Sequence, residues 1–313
     1  MAGPIAVVGA GLVGAGWAIV FARAGHSVRI FDAVPAVRAK VRDGIAANVR
    51  DLKHFDLIAD VDAVMARITV VDEIAAAVSG AIYVQESVFE TVAAKRPIYQ
   101  QLDTLAPPTA PIGSSSSGIP ASAFTENCRT RARMLISHPV NPPYLVPLVE
   151  LVPAPWTDPT IVDQVHALMT AVGQEPIRVR HEVEGFVLNR LQGALLNEAW
   201  ALFDEGVASA ADIDKTVSTG LGLRWSFMGP FETIDLNAPQ GVADYAKRLG
   251  PLYHAIAVSR TTPKAWDDAL IGQLEAERRE ELGADALDQR RAWRDRRLMA
   301  LAVHKAKAAR NIT

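Results

Sequence analysis

The feature that most constrains this chain is a run of three glycines between two apolar stretches. Ile5–Val8 is a short apolar run, and Gly9-Ala10-Gly11-Leu12-Val13-Gly14 follows at once. A strand that ends in such a turn and opens directly into a helix begins a dinucleotide-binding βαβ unit. Gly9 permits the tight turn, Gly11 lets the backbone approach a pyrophosphate, and Gly14 allows close helix–sheet packing. Leu12 and Val13 fall in the first helical turn, where unpaired N–H groups and the helix dipole favour phosphate. Asp32 closes the next apolar run, Val28–Phe31, where the ribose-binding acid of such a unit belongs. Ala33, Val34 and Pro35 supply no cation for a 2′-phosphate, so the pattern predicts NAD rather than NADP. Arg38 is the one counter-signal, and FAD competes on the fingerprint alone.

The alternation continues downstream. Apolar runs at 68–71, 81–84, 111–113, 134–137, 148–152 and 176–179 predict further strands, with helical stretches between several of them. Residues 159–172 form the clearest helix, with Asp158 as cap, Pro159 in the first turn and Gly173 as stop. This order predicts an α/β fold, a Rossmann-type, doubly wound, mostly parallel sheet. Past Glu184 the strand signals fade. Leu188, Leu191, Leu195, Ala199 and Leu202 recur at helical spacing, and the chain from Asp212 reads as helices broken by Gly and Pro. The expected division is an NAD-binding domain over 1–184 and an all-helical substrate and dimerisation domain over 185–313. These helices outnumber the surfaces that could cover them, so a homodimer is expected.

Composition narrows the classes. A chain of 313 residues has room for two domains, and a net charge of −3 leaves no basic footprint for nucleic acid. Residues 4–22 carry no charge and are long enough to span a bilayer. Their four glycines and strand–turn–helix pattern account for them better, and no positively charged leader precedes them. The expectation is a cytoplasmic protein with no membrane partner. Cys128 is the only cysteine, so no intramolecular disulfide can form. No His/Cys/Asp/Glu cluster has metal-ligand spacing.

Five polar residues stand out against this frame. His138 and Asn141 lie in His138-Pro139-Val140-Asn141-Pro142-Pro143, and Glu150 in the apolar run that follows. Ser117 ends a run of four serines, and Asn189 sits in Gly185-Phe186-Val187-Leu188-Asn189-Arg190. Oxidising a secondary alcohol needs a group that takes the hydroxyl proton, and imidazole suits this near neutral pH. A carboxylate on the other ring nitrogen would fix the tautomer and stabilise the imidazolium. Taken singly, each residue has a plainer reading as a satisfied core histidine, a turn serine or a helix-start amide. The remaining six histidines have no comparable setting.

On these residues the chain resembles the L-3-hydroxyacyl-CoA dehydrogenase superfamily over nearly its whole length. The segments HPVNPPYLVPLVELV (138–152), GFVLNRLQ (185–192), NEAW (197–200), GPFET (229–233) and RRAWRD (290–295) are similar to its lambda-crystallin / L-gulonate 3-dehydrogenase branch. The resemblance implies that His138 is the catalytic base, Glu150 its partner, and Ser117 and Asn189 the groups that hydrogen-bond the reacting oxygen. It also implies cofactor contacts at Glu90 and Lys95, with Asn141 structural or near the nicotinamide. Arg224 is a departure from the acyl-CoA enzymes, which carry small residues before their Gly-Pro-Phe-Glu motif. A guanidinium grips a carboxylate with two parallel hydrogen bonds, so Arg224 is expected to bind the carboxylate of a free acid; the alternative is a domain-interface salt bridge. The cations between residues 37 and 66 are mixed with aspartates, which weakens a CoA reading. The implied activity is NAD-dependent oxidation of the 3-hydroxyl of a small L-3-hydroxy acid, L-gulonate-like. The alternatives are a short-chain L-3-hydroxyacyl-CoA dehydrogenase, an L-carnitine dehydrogenase, or a crystallin-like NAD-binding structural protein.

Overall fold

The computed structural model describes residues 3–260, 262 and 264–311. Eight strands, β1 (Ile5–Val8), β2 (Val28–Phe31), β3 (Ile68–Val70), β4 (Tyr83–Glu86), β5 (Ile112–Ser114), β6 (Met134–Pro139), β7 (Leu148–Pro153) and β8 (Glu175–Arg178), form one sheet. Their order is β3-β2-β1-β4-β5-β6-β7-β8. All neighbours are parallel except β6 and β7. The strand order reverses beside β1, which is where a doubly wound sheet opens its ligand crevice. The expected strands all occur. β4 runs two residues later than its apolar run because it continues into Gln85 and Glu86, which are fully buried yet polar.

Side chains of β1 alternate between two cores. Ile5 and Val7 join the cluster built around helix α1 (Leu12–Arg23) and helix α2 (Pro35–His54). Ala6 and Val8 join the opposite cluster, which contains Tyr99 and Leu102 of α3 (Val92–Leu105). Helix α1 buries Gly14 and the whole run from Gly16 to Ala22. The uncharged stretch 4–22 is therefore the central strand and central helix of the sheet. Among the described residues no helix is long and apolar enough to cross a membrane. Helix α4 (Pro159–Ala171) takes its cap from Asp158, whose side chain accepts the Thr160 N–H.

The connection over residues 140–147 is too short for a parallel crossover, which needs a dozen residues or more. β6 and β7 therefore pair antiparallel, and the register sets His138 directly opposite Glu150.

The chain forms two compact units, residues 1–191 with 289–313, and residues 192–288. Helices α5 (Leu188–Asp204), α6 (Gly241–Ser259) and α7 (Asp268–Glu281) are the longest elements reaching into or lying in the second unit. The last helix, α8 (Leu287–Asn311), lies mostly in the first, where Met299 is buried in the same core cluster as α2. By compactness the change of unit thus falls at 191/192, and the C-terminal stretch returns to the first.

Candidate active site

The glycine turn is built by close contact. Gly9 has φ +100°, and a Cβ there would lie 2.4 Å from the Ser87 carbonyl oxygen. A Cβ on Gly14 would lie 1.8 Å from the Gly9 oxygen, so the helix can approach the strand only without one. A Cβ on Gly11 would meet nothing within 4 Å. Gly11 is the N-cap of α1 and supplies no side-chain cap, which leaves the first N–H groups of that helix for an anion. Leu12 is largely exposed beside them. Asp32 accepts the Ala10 N–H at 2.8 Å on one oxygen and the Val34 N–H at 2.8 Å on the other. Each oxygen keeps a lone pair for a ribose hydroxyl. Arg38 donates to the Asp32 carbonyl at 2.6 Å and to Asp72 at 3.2 Å, so its guanidinium already has partners. A bare turn, an open helix end and a carboxylate at the end of β2 fit a dinucleotide.

His138 and Glu150 are both buried, and Nδ1 lies 2.7 Å from Oε2. The other Glu150 oxygen accepts the N–H groups of Val187 at 2.8 Å and Leu188 at 2.9 Å. Burial acts to raise the Glu150 carboxyl, but the bonds from His138 and from the two N–H groups outweigh it and hold it below the ordinary carboxylate range. Those N–H groups are aimed by a left-handed turn, Gly185 at φ +75° and Phe186 at φ +50°. A phenylalanine there stores about 1–3 kcal/mol of strain. It is held by full burial, its ring 5.9 Å from the His138 ring. On the far side, the 140–147 loop rests on α1. A Cβ on Gly16 would lie 2.7 Å from Pro143, and Arg23 donates to the Tyr144 carbonyl at 2.8 Å. Asn141 is exposed on this loop.

Ser117 and Asn189 are brought together. The Asn189 amide donates to the Ser117 carbonyl at 2.5 Å. Glu90 grips the same loop, accepting from the Ser117 N–H at 2.5 Å, the Ser117 hydroxyl at 2.6 Å, the Gly118 N–H at 2.9 Å and the Ser116 hydroxyl at 3.0 Å. Burial raises its pKa, and these bonds more than reverse that, so it too is held low. Lys95 does not reach a surface at all. Its ammonium is 1% exposed and lies against Glu86. Sequence reasoning missed Glu86, Ser114 and the chain Tyr83–Gln85–Ser115, in which Tyr83 donates to Gln85 at 2.6 Å and Gln85 to Ser115 at 2.8 Å. Their one signal is a run of polar residues where two strands end. Burial pushes the Cys128 thiol up to about 11, which makes it a poor nucleophile. Arg224, in the second unit, is exposed and forms no ion pair among the described residues.

A dinucleotide turn on a doubly wound sheet, with a carboxylate-held imidazole on the same sheet, defines the class of nicotinamide-dependent dehydrogenases. The 3-hydroxyacyl-CoA dehydrogenase NAD-binding domain matches residues 4–183, and the 3-hydroxyacyl-CoA dehydrogenase C-terminal domain matches residues 185–280. The chain belongs to the 3-hydroxyacyl-CoA dehydrogenase family and is an NAD-dependent oxidoreductase of it. It is 38% identical to lambda-crystallin of Oryctolagus cuniculus over 97% of each chain. It is 36% identical to a 3-hydroxyacyl-CoA dehydrogenase of Gibberella moniliformis over 97% of this chain and 95% of that one. Among solved structures, the NAD+-dependent dismutase 5-formyl-3-hydroxy-2-methylpyridine 4-carboxylic acid 5-dehydrogenase aligns with a TM-score of 0.83 at 27% identity, covering 96% of this chain and 98% of that one.

Proposed function

We propose that this protein oxidises the 3-hydroxyl of a small L-3-hydroxy acid that carries a free carboxylate, of the L-gulonate kind. The carrying observation is the His138–Glu150 pair. Glu150 is locked by two backbone N–H groups and takes Nδ1 of His138 at 2.7 Å, which leaves Nε2 as the nitrogen for a substrate hydroxyl. Gly9, Gly11, Leu12, Val13, Gly14 and Asp32 would hold NAD, which would supply the hydride acceptor. His138 takes the hydroxyl proton, and Glu150 stabilises the imidazolium that results. Ser117 gives its one hydroxyl proton to Glu90 before substrate binds, and turning that proton to the substrate lets it hydrogen-bond the reacting oxygen once His138 has taken the substrate's own proton. Asn189 gives one amide hydrogen to the Ser117 carbonyl and keeps the second for the reacting oxygen. Glu90 serves this site by holding the serine loop.

The free-acid reading rests on Arg224, which is exposed and has no ion pair among the described residues, a state that suits capture of a carboxylate. The chain's similarity to a dehydrogenase named for a carboxylic acid substrate supports the same reading. The CoA alternative loses support at Arg42, which donates to the carbonyls of Ile68 and Met65. We assign residues 1–184 to nucleotide binding and 185–313 to substrate binding and dimerisation of a cytoplasmic homodimer.

Rates on L-gulonate, L-3-hydroxybutyrate, carnitine and 3-hydroxybutyryl-CoA test the substrate class. The expected order puts a free hydroxy acid first. Arg224→Met should raise KM for that acid roughly 10- to 100-fold, the scale of a lost charge-assisted hydrogen bond. A variant that spares it, or a wild-type preference for the thioester, contradicts the reading.

A further inference from the structure

Lys95 and Glu86 form an ion pair inside the sheet unit, 1% and 0% exposed. The ammonium donates to both Glu86 oxygens, at 2.9 and 3.0 Å. Charges this deep are costly unless their remaining hydrogen-bonding sites are filled. Here two functional loops fill them. Glu86 Oε1 also accepts the Val88 N–H at 2.7 Å, and Glu86 Oε2 accepts the Ser114 hydroxyl at 2.6 Å. The Ser114 oxygen in turn accepts the Ser116 N–H at 3.2 Å.

Each loop carries part of the site. The turn 86–88 is the surface that the missing Cβ of Gly9 would strike, at 2.4 Å from the Ser87 oxygen and 2.8 Å from the Val88 nitrogen. Where that turn lies decides where the glycine turn lies. The Ser116–Gly118 loop presents Ser117 and is gripped from its other side by Glu90. One carboxylate thus ties both loops, and Lys95 is its counter-ion.

We infer that Glu86, Lys95 and Ser114 are positioning residues that fix the nucleotide turn and the serine loop to one buried anchor, so that Lys95 serves the reaction through Glu86 and never touches the nucleotide. This rests on the proposed role of Ser117, and the test separates the two.

Ser114→Ala removes one oxygen and cuts only the link to the serine loop. It should lower kcat at least five-fold and change the NADH Kd by less than two-fold. Glu86→Met with Lys95→Met removes the anchor without leaving an unpaired charge. It should lower kcat at least ten-fold and also weaken NADH at least five-fold, with thermal melting as the check on folding. If the double variant does not fold, Ser114→Ala decides alone. His138→Gln is measured beside them. Wild-type turnover in His138→Gln overturns the proposed function itself. Where His138→Gln is inactive, wild-type kcat in folded Ser114→Ala overturns the anchor alone. A merely structural pair would lower the melting temperature and leave both kcat and NADH affinity unmoved.

Discussion

In the first unit the apolar residues are covered by the unit's own elements. No residue of β1 is more than 1% exposed, and α1 buries one continuous run from Gly16 to Ala22. In the second unit the helices read as amphipathic in the same way, yet the outcome is different. Helices α5 and α6 bury none of their residues, and among the described residues of 192–288 only Ala210, Thr233 and Leu270 are buried. Leu252, Tyr253 and Ile256 are 55%, 51% and 43% exposed on α6. Each such half-exposed side chain forgoes roughly half of the about 1.5–3 kcal/mol that complete burial would supply. A sheet with helices on both faces closes its own core; helices with open apolar faces need a further surface to cover them, and the homodimer proposed above would supply one.

Breaking the apolar face should have the largest effect. Leu252→Asp with Ile256→Asp places charges where two copies would meet, and symmetry counts each twice. Sedimentation should show the dimer dissociation constant raised by at least about 100-fold, roughly 2.7 kcal/mol, with the helical unit melting at a lower temperature. A variant that sediments and melts as the wild type would return the second unit to the status of a self-sufficient fold.

A smaller effect sharpens the other side of the comparison. Glu150 and Glu90, both in the first unit, are held below the ordinary carboxylate range in the folded state. A depressed folded pKa stabilises the protein above the unfolded value, and that contribution is lost as pH falls through the folded one. Melting temperature should therefore drop on acidification from about pH 5 to about pH 3, and drop less in Glu150→Gln, which has no such proton to take up. Equal slopes would mean that the Glu150 hydrogen bonds stabilise nothing.

The sheet unit was legible because its constraints are local. A glycine whose added Cβ would lie 1.8 Å from a backbone oxygen, an uncharged run that becomes the central strand and helix, and a short connection that forces β6 and β7 antiparallel each leave a mark along the chain. The His138–Glu150 pair follows from that connection. What could not be read depends on residues far apart in sequence. Glu86 meets Ser114 across 28 positions, and Glu90 meets Ser117 across 27. Lys95 is one polar letter in an amphipathic helix, and nothing local says that it points inward to a carboxylate. Phe186 at a left-handed φ is equally silent, since its strain is held by packing rather than by its neighbours in sequence. The open faces of α5 and α6 are written in the sequence, but no pattern along the chain says what would cover them.

The most direct test of the account is turnover in His138→Gln with NADH affinity measured on the same preparation. The prediction is a fall in kcat of roughly 10²–10⁴-fold, the scale of positioned proton transfer, with the NADH Kd within two-fold of wild type. A kcat near the wild-type value with intact NADH binding would contradict it, and some other group would then have to take the proton.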